Sequence, residues 1–337
     1  MRGIVASIFL TFSLARCSGL SASLPVPRAT PTAVPVTQLT VAYSAISGGN
    51  LPLWLAKEAG IFEKYRLDVQ PLLIPGGQNS MAALLSDQAQ IAESGGSDAL
   101  AANVNGADVM VVAMPIPVYP YVLEVAPEIR QAADLKGKKV GARATGSSGD
   151  IALRLGLRKL GLDPVKDLTV IAVQSRQTGT VALMNGALQG VIDDPPDSIM
   201  LDASGFHALF DMVELKTPAA QTAVMGQRSW LAAHRPVVQA YIDARLEAIG
   251  RARQDKNFAV GVLKKYFKSD DDFAMSATYD YYISKVLPAA PHALPEQFKD
   301  SLAELTRTNS EVRDYDVRRF LDNSYVRSAV ARGLAAN

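Results

Sequence analysis

The chain has 337 residues, 48% hydrophobic and 20% charged, with a formal net charge of +1. That length suits about two globular domains, and the charge balance, without a long basic run, excludes a nucleic-acid surface. A single cysteine, Cys17, and three scattered histidines, His207, His234 and His292, exclude a disulfide framework, a zinc cluster and a catalytic cysteine in the folded part.

Met1-Arg2 is a short positive start, and Gly3 to Ala15 is apolar or small. This run is too short to span a bilayer and has the length of a signal-peptide apolar segment. Leu14-Ala15-Arg16-Cys17 is similar to a bacterial lipoprotein box, with Cys17 as the lipidation site. It departs from the pattern at Arg16, where a small residue is usual. The rival is ordinary cleavage near Leu20-Ser21-Ala22. Either way the mature chain is expected outside the cytoplasm. Residues 1–22 read as a signal peptide and 23–37, rich in Pro, Ala and Thr, as an extended tether.

The fold is expected to begin near Gln38. Leu39 to Tyr43 reads as a strand, followed by a Ser- and Gly-containing loop and a helix over Leu51 to Ala59, ended by Gly60. Leu67 to Ile74 alternates as a second strand. After Pro75-Gly76-Gly77, Asn79 or Ser80 is expected to cap a helix over Met81 to Leu85. Gln90 to Ala92 is a short strand, Gly95 to Asp98 opens another helix, and Asp108 to Met114 is a buried strand. The alternation βαβαβαβ predicts a largely parallel sheet.

The pattern then restarts. Val140 to Ala142 reads as a strand, Ile151 to Leu160 as a helix, Leu168 to Val173 as a strand, Gly179 to Met184 as a helix and Gly190 to Asp193 as a strand. At one constant offset, Val41 matches Val140, Ala83-Leu84 matches Ala182-Leu183, Gln90 matches Gln189 and Asp98 matches Asp197. Two similarly wound lobes follow. From Ser229 the chain reads as helical, with Pro236 in the first turn of a helix to about Arg253 and Asp270 to Asp272 preceding another through Val286. Shorter helices are expected over Pro295 to Leu305 and Asp314 to Leu321. This block is expected on the first lobe.

In open parallel sheets, ligands sit beyond the carboxyl ends of the strands, where helix N-termini offer free N–H groups. In the first lobe this selects Ser44, Gly48, Asn50, Gly77, Asn79, Ser97 and Asp98 as ligand-binding candidates. In the second it selects Arg143, Thr145, Ser147, Ser148, Gln174 and Asp194. Glycines admit a close approach to the backbone, hydroxyls donate, and Arg143 or Arg176 could hold a planar anion. Singly, each residue also suits a helix cap or a turn; repetition at one end of two similar lobes is what selects them. Tyr43, Trp54, Tyr119 and Tyr121 read as core aromatics; one of them at the ligand site would suit a flat ligand. Neither a Walker loop nor a G-x-S-x-G elbow occurs, and Asp193-Asp194 lacks the spacing of a calcium loop.

Several stretches together resemble the nitrate/sulfonate/taurine class of periplasmic binding proteins, the NMT1/THI5-like family. They are Val41-Ala42-Tyr43, Leu53 to Tyr65, Gly76-Gly77 with Ala82 to Leu85, Asp134 to Gly141, Ala182 to Gly186, and the helix after Trp230. The resemblance implies an α/β, type II binding-protein fold. Residues 38–120 with 218–337 would form one lobe and 121–217 the other, with crossovers near Val118–Glu124 and Val213–Ala223. It also implies a periplasmic, monomeric binder of a small-molecule ligand, such as a sulfonate or carboxylate. The closed form would dock on an ABC permease with its ATPase, without a cofactor or a metal and without catalysis. Two alternatives stay open: an aromatic or pyrimidine-type ligand, and an enzyme on the same fold such as a menaquinone-pathway dehydratase. The cysteine-rich motif of the thiamine-precursor branch is absent.

Overall fold

β-branched and apolar residues in short runs make two separate sheets. The computed structural model describes residues 36–334 apart from 144 and 174. In the first sheet, β1 (Thr37–Tyr43) lies between β2 (Leu67–Leu73) and β3 (Ile91–Ser94), parallel to both. β4 (Val109–Val118) forms the far edge. Between β3 and β4 runs a strand from far along the chain, β10 (Pro218–Gln227), antiparallel to both. This corrects the expected local βαβαβαβ sheet.

The second sheet repeats the arrangement. Its strands are β5 (Val122–Val125), β6 (Lys139–Ala142), β7 (Thr169–Ala172), β8 (Gly190–Asp193) and β9 (His207–Asp211). Their order is β7-β6-β8-β5-β9, with β5 antiparallel to β8 and β9. The repeat reaches single hydrogen bonds. Gln90 Oε1 accepts the Thr40 N–H at 2.9 Å, and Gln189 Oε1 accepts the Lys139 N–H at 3.2 Å. Each glutamine clips the residue before one strand, β3 or β8, to the neighbouring parallel strand, β1 or β6. The chain passes from the first sheet to the second through Tyr119-Pro120-Tyr121 and returns through 212–217.

The first-half helices are α1 (Leu51–Glu58), α2 (Ile61–Lys64), α3 (Gly77–Leu85) and α4 (Gly96–Val104); the second sheet carries α5 (Ser148–Lys159), α6 (Arg176–Met184) and α7 (Asp197–Ala203). α3 starts earlier than expected, so Asn79 and Ser80 lie within its first turn instead of capping it. Their side chains bond back to the Pro75 and Ile74 carbonyls.

The rest is helical: α8 (Arg228–Ala233), α9 (Arg235–Gln254), α10 (Lys256–Phe267), α11 (Asp272–Tyr281), α12 (Lys299–Thr308) and α13 (Ser324–Ala331). Sequence periodicity missed α10 and α13, and Tyr282–Val286 continues α11 as one π-helical turn. Residues of α9, α10, α11 and α13 share one apolar core with β1–β4, including Tyr241 and Leu263. Residues 119–219 enclose a second core, and Ile116, Tyr282, Val286 and Leu287 a small third one beside the crossovers. Among the described residues no helix is long and apolar enough to cross a membrane.

Candidate ligand cleft

On the first sheet the carboxyl ends of β1, β2 and β3 lead into Ser44–Ser47, Ile74–Gly76 and Gly95. The Ser44 N–H donates to the Glu93 carbonyl at 3.3 Å and its own carbonyl accepts the Gly76 N–H at 3.1 Å, so the three loops are tied together. Asn50 is buried, and its amide donates to the Ala45 carbonyl at 2.6 Å. Gly48 packs on the Tyr282 ring, where a Cβ would have no room. These two residues shape the loop from inside. Asn79 is exposed, with its amide on Pro75. Gly77 faces the Asp98 carboxyl so closely that a Cβ would overlap it. Burial pushes that carboxyl up to about 6. Ser97 stands beside Asp98 next to Gly95.

Behind this wall lies a buried ionic group. Tyr241 Oη donates to Glu93 Oε1 at 2.6 Å and Arg245 Nη2 to Oε2 at 3.0 Å. Arg245 Nε and Nη1, and Trp54 Nε1, are buried with no hydrogen-bond partner among the described residues. Of the four aromatic candidates, Tyr43, Trp54 and Tyr119 are core residues, and Trp54 stacks on Tyr266 with centroids 4.6 Å apart.

On the second sheet, Ser147 caps α5 by accepting the Asp150 N–H at 3.4 Å. Asp150 accepts the Gly146 N–H at 3.0 Å and Arg154 Nε at 2.8 Å, which closes the Thr145–Ser148 turn. Thr145 itself is exposed. The Arg143 side chain lies over Gly149 in the first turn of α5: a Cβ there would meet Arg143 Cγ at 3.6 Å and Tyr121 Cε1 at 3.9 Å. Ser148 Oγ and Tyr121 Oη are 2.9 Å apart, and Gln221 Nε2 donates to Tyr121 Oη at 3.0 Å. This chain runs from β10 through the first crossover to α5, and Gln221 Oε1 is buried without a partner among the described residues. Gln174, the Arg176 side chain and Cys17 lie outside the described residues.

The two carboxyl edges meet at Asp194. Its Oδ2 accepts from Ser47 Oγ at 2.9 Å and from Tyr282 Oη at 2.8 Å, while the two hydroxyl oxygens are 2.8 Å apart. Two hydroxyl protons serve three contacts, so at most two are full hydrogen bonds. Asp194 is 3% exposed. Ser47 and Tyr282 therefore belong with the selected residues. Ser47 reads as an ordinary cap in the sequence, and nothing local to Tyr282 links it to a loop far earlier in the chain. Gln221 is a third addition, on a strand the sequence did not reveal. Nearer the crossovers, Tyr281 Oη donates to Asp211 Oδ1 at 2.9 Å and Lys285 Nζ lies 2.7 Å from Glu214 Oε1.

The family model described as NMT1/THI5 like matches residues 49–257, more than half of the chain. No curated protein matches. Among solved structures, the chain is similar to the periplasmic aliphatic sulphonate binding protein SsuA from Escherichia coli. That match has a TM-score of 0.68 and 22% identity, over 84% of this chain and 91% of that one. The periplasmic nitrate-binding protein NrtA from Synechocystis PCC 6803 matches with a TM-score of 0.68 and 16% identity, over 88% and 89%. A mutant of DszB in complex with biphenyl-2-sulfinic acid matches with a TM-score of 0.65 and 16% identity, over 88% and 99%. At such identities the likeness carries the fold, a periplasmic binding-protein fold with two α/β halves. With the family match over most of the same span, the chain belongs to the NMT1/THI5-like family.

Proposed function

We propose that the chain is the extracytoplasmic solute-binding protein of an ABC importer, and not an enzyme. Its lobes, residues 38–120 with 218–337 and residues 121–217, close on a small organic anion such as a sulfonate or carboxylate. The closed monomer delivers it to a membrane permease and its ATPase, from the periplasm, with Cys17 as a lipid anchor. The observation that carries this reading is the meeting of Asp194 with Ser47 and Tyr282, because it sets the carboxyl edges of both sheets face to face. Arg143 over the first turn of α5 supports an anion: a guanidinium and a helix N-terminus favour the same charge.

One observation favours a second ligand class. The Asp98 carboxyl beside Gly77 occupies the start of α3 with negative charge, which suits an N–H donor such as the amino group of an aminopyrimidine. A thermal-shift screen separates the two, with sulfonates, nitrate, carboxylates, aromatic acids, pyrimidines and purines in the panel. A true ligand at 100 times its Kd adds about 2.7 kcal/mol of stability. A sulfonate or carboxylate hit that Arg143→Ala abolishes supports the anion reading. A pyrimidine hit that Asp98→Asn abolishes replaces it with the second, and a flat panel counts against both.

A further inference from the structure

A cavity of about 620 Å³ lies at the crossovers and shares no wall with the cleft loops. That volume is within the range of small-molecule sites, roughly 300–1,000 Å³. Pro117 comes from the outgoing chain, Val213 and Pro218 from the returning chain, and Pro288 from the stretch after the π-helical turn. Three rigid prolines and a valine give flat apolar faces, which suit a planar ring. The charges at its rim are few. Lys285 is ion-paired with Glu214 at 2.7 Å and is neutralised there. Lys216 has no ion-pair partner among the described residues, and its backbone is left-handed, φ +48°. Glu296 is the remaining charge; it is exposed, and it disfavours a second negative group on a ligand.

We propose that this hinge cavity is a second ligand site, separate from the cleft, for an aromatic monoanion. The ring packs between the prolines and the anionic group reaches Lys216. The probe is 8-anilinonaphthalene-1-sulfonate, titrated against the full chain by fluorescence. A single saturable site is expected. Ala290→Trp, which fills the cavity, should weaken it at least about ten-fold. Lys216→Asn removes the charge while suiting the left-handed backbone, and should weaken it up to about five-fold. Glu296→Gln should tighten it. Lys216 and Glu296 are exposed, so their variants keep the test valid if Ala290→Trp fails to fold. Arg143→Ala separates the sites. If it abolishes the signal and the hinge variants leave it unchanged, the dye is in the cleft, the hinge site is refuted, and the solute-binding reading stands. Absence of saturable binding also refutes the hinge site.

Discussion

Glu124, on β5, is 2% exposed, and its Oε2 has no hydrogen-bond partner among the described residues. Burial, with Asp202 and Asp211 nearby, pushes its carboxyl from the ordinary 4.5 up to about 8. The folded protein therefore holds a proton that the unfolded chain releases, and stability falls as pH rises from about 4.5 to about 8. The upper bound on that loss is roughly 4–5 kcal/mol. Glu124→Gln cannot ionise. Its urea midpoint should fall less than the parent's between pH 5 and pH 9, with the Asp98 contribution remaining in both, and it should be the more stable protein at pH 9. Parallel curves for the two proteins would show that Glu124 does not titrate in this window. The Glu93–Arg245 pair makes a second test at this scale. Arg245→Met strands a buried carboxylate and should cost about 3–5 kcal/mol, part of which Glu93→Gln restores in the double variant. A single-variant cost below about 1 kcal/mol would mean the pair is wetter than its burial indicates.

The elements divide by how local their cause is. β1 to β3 and α4 to α6 follow from alternation and from glycine or serine at helix starts, and their positions agree with the sequence reading to within a few residues. The clips at Gln90 and Gln189 were legible as a constant offset because both halves solve the same backbone problem. β10 was not legible. Pro218–Gln227 carries Ala, Thr and Gly with little period, and becomes a strand only when β3 and β4 accept it between them. Tyr282 was hidden for the same reason: a π-helical turn in the C-terminal block presents it to a loop that follows β1. Of the selected residues, Arg143, Ser148 and Asp194 take part in contacts around the cleft, whereas the Asn50 amide bonds within its own loop and Gly48 packs on the Tyr282 ring. Gly48→Ala tests that loop. Its Cβ would collide with the Tyr282 ring and with Thr278, so the change should cost about 1–3 kcal/mol in thermal unfolding. An unchanged melting temperature would mean the loop has slack and does not fix Ser47.

Two sets of contacts join the halves of the molecule. Tyr281–Asp211 and Lys285–Glu214 sit beside 212–217 and would be strained little by a small rotation about that segment. Ser47 and Tyr282, the neighbour of Tyr281, meet Asp194 at the carboxyl edges, and a rotation that parts those edges separates them. Hydrogen bonds to a charged group contribute about 1.5–3 kcal/mol each, and part of that returns as hydration when the edges part. A net loss near 2 kcal/mol would shift the balance between closed and open forms about 30-fold. The double variant Ser47→Ala/Tyr282→Phe removes both donors and keeps Asp194. It should have a larger radius of gyration in solution scattering than the parent, and bind the thermal-shift ligand more weakly by the factor by which closure is disfavoured. Ligand should bring its radius of gyration back to the parent's, since the crossover contacts are intact. If the variant scatters like the parent and binds equally well, the Asp194 contacts follow closure without stabilising it, and the lobe angle is set by the crossovers alone.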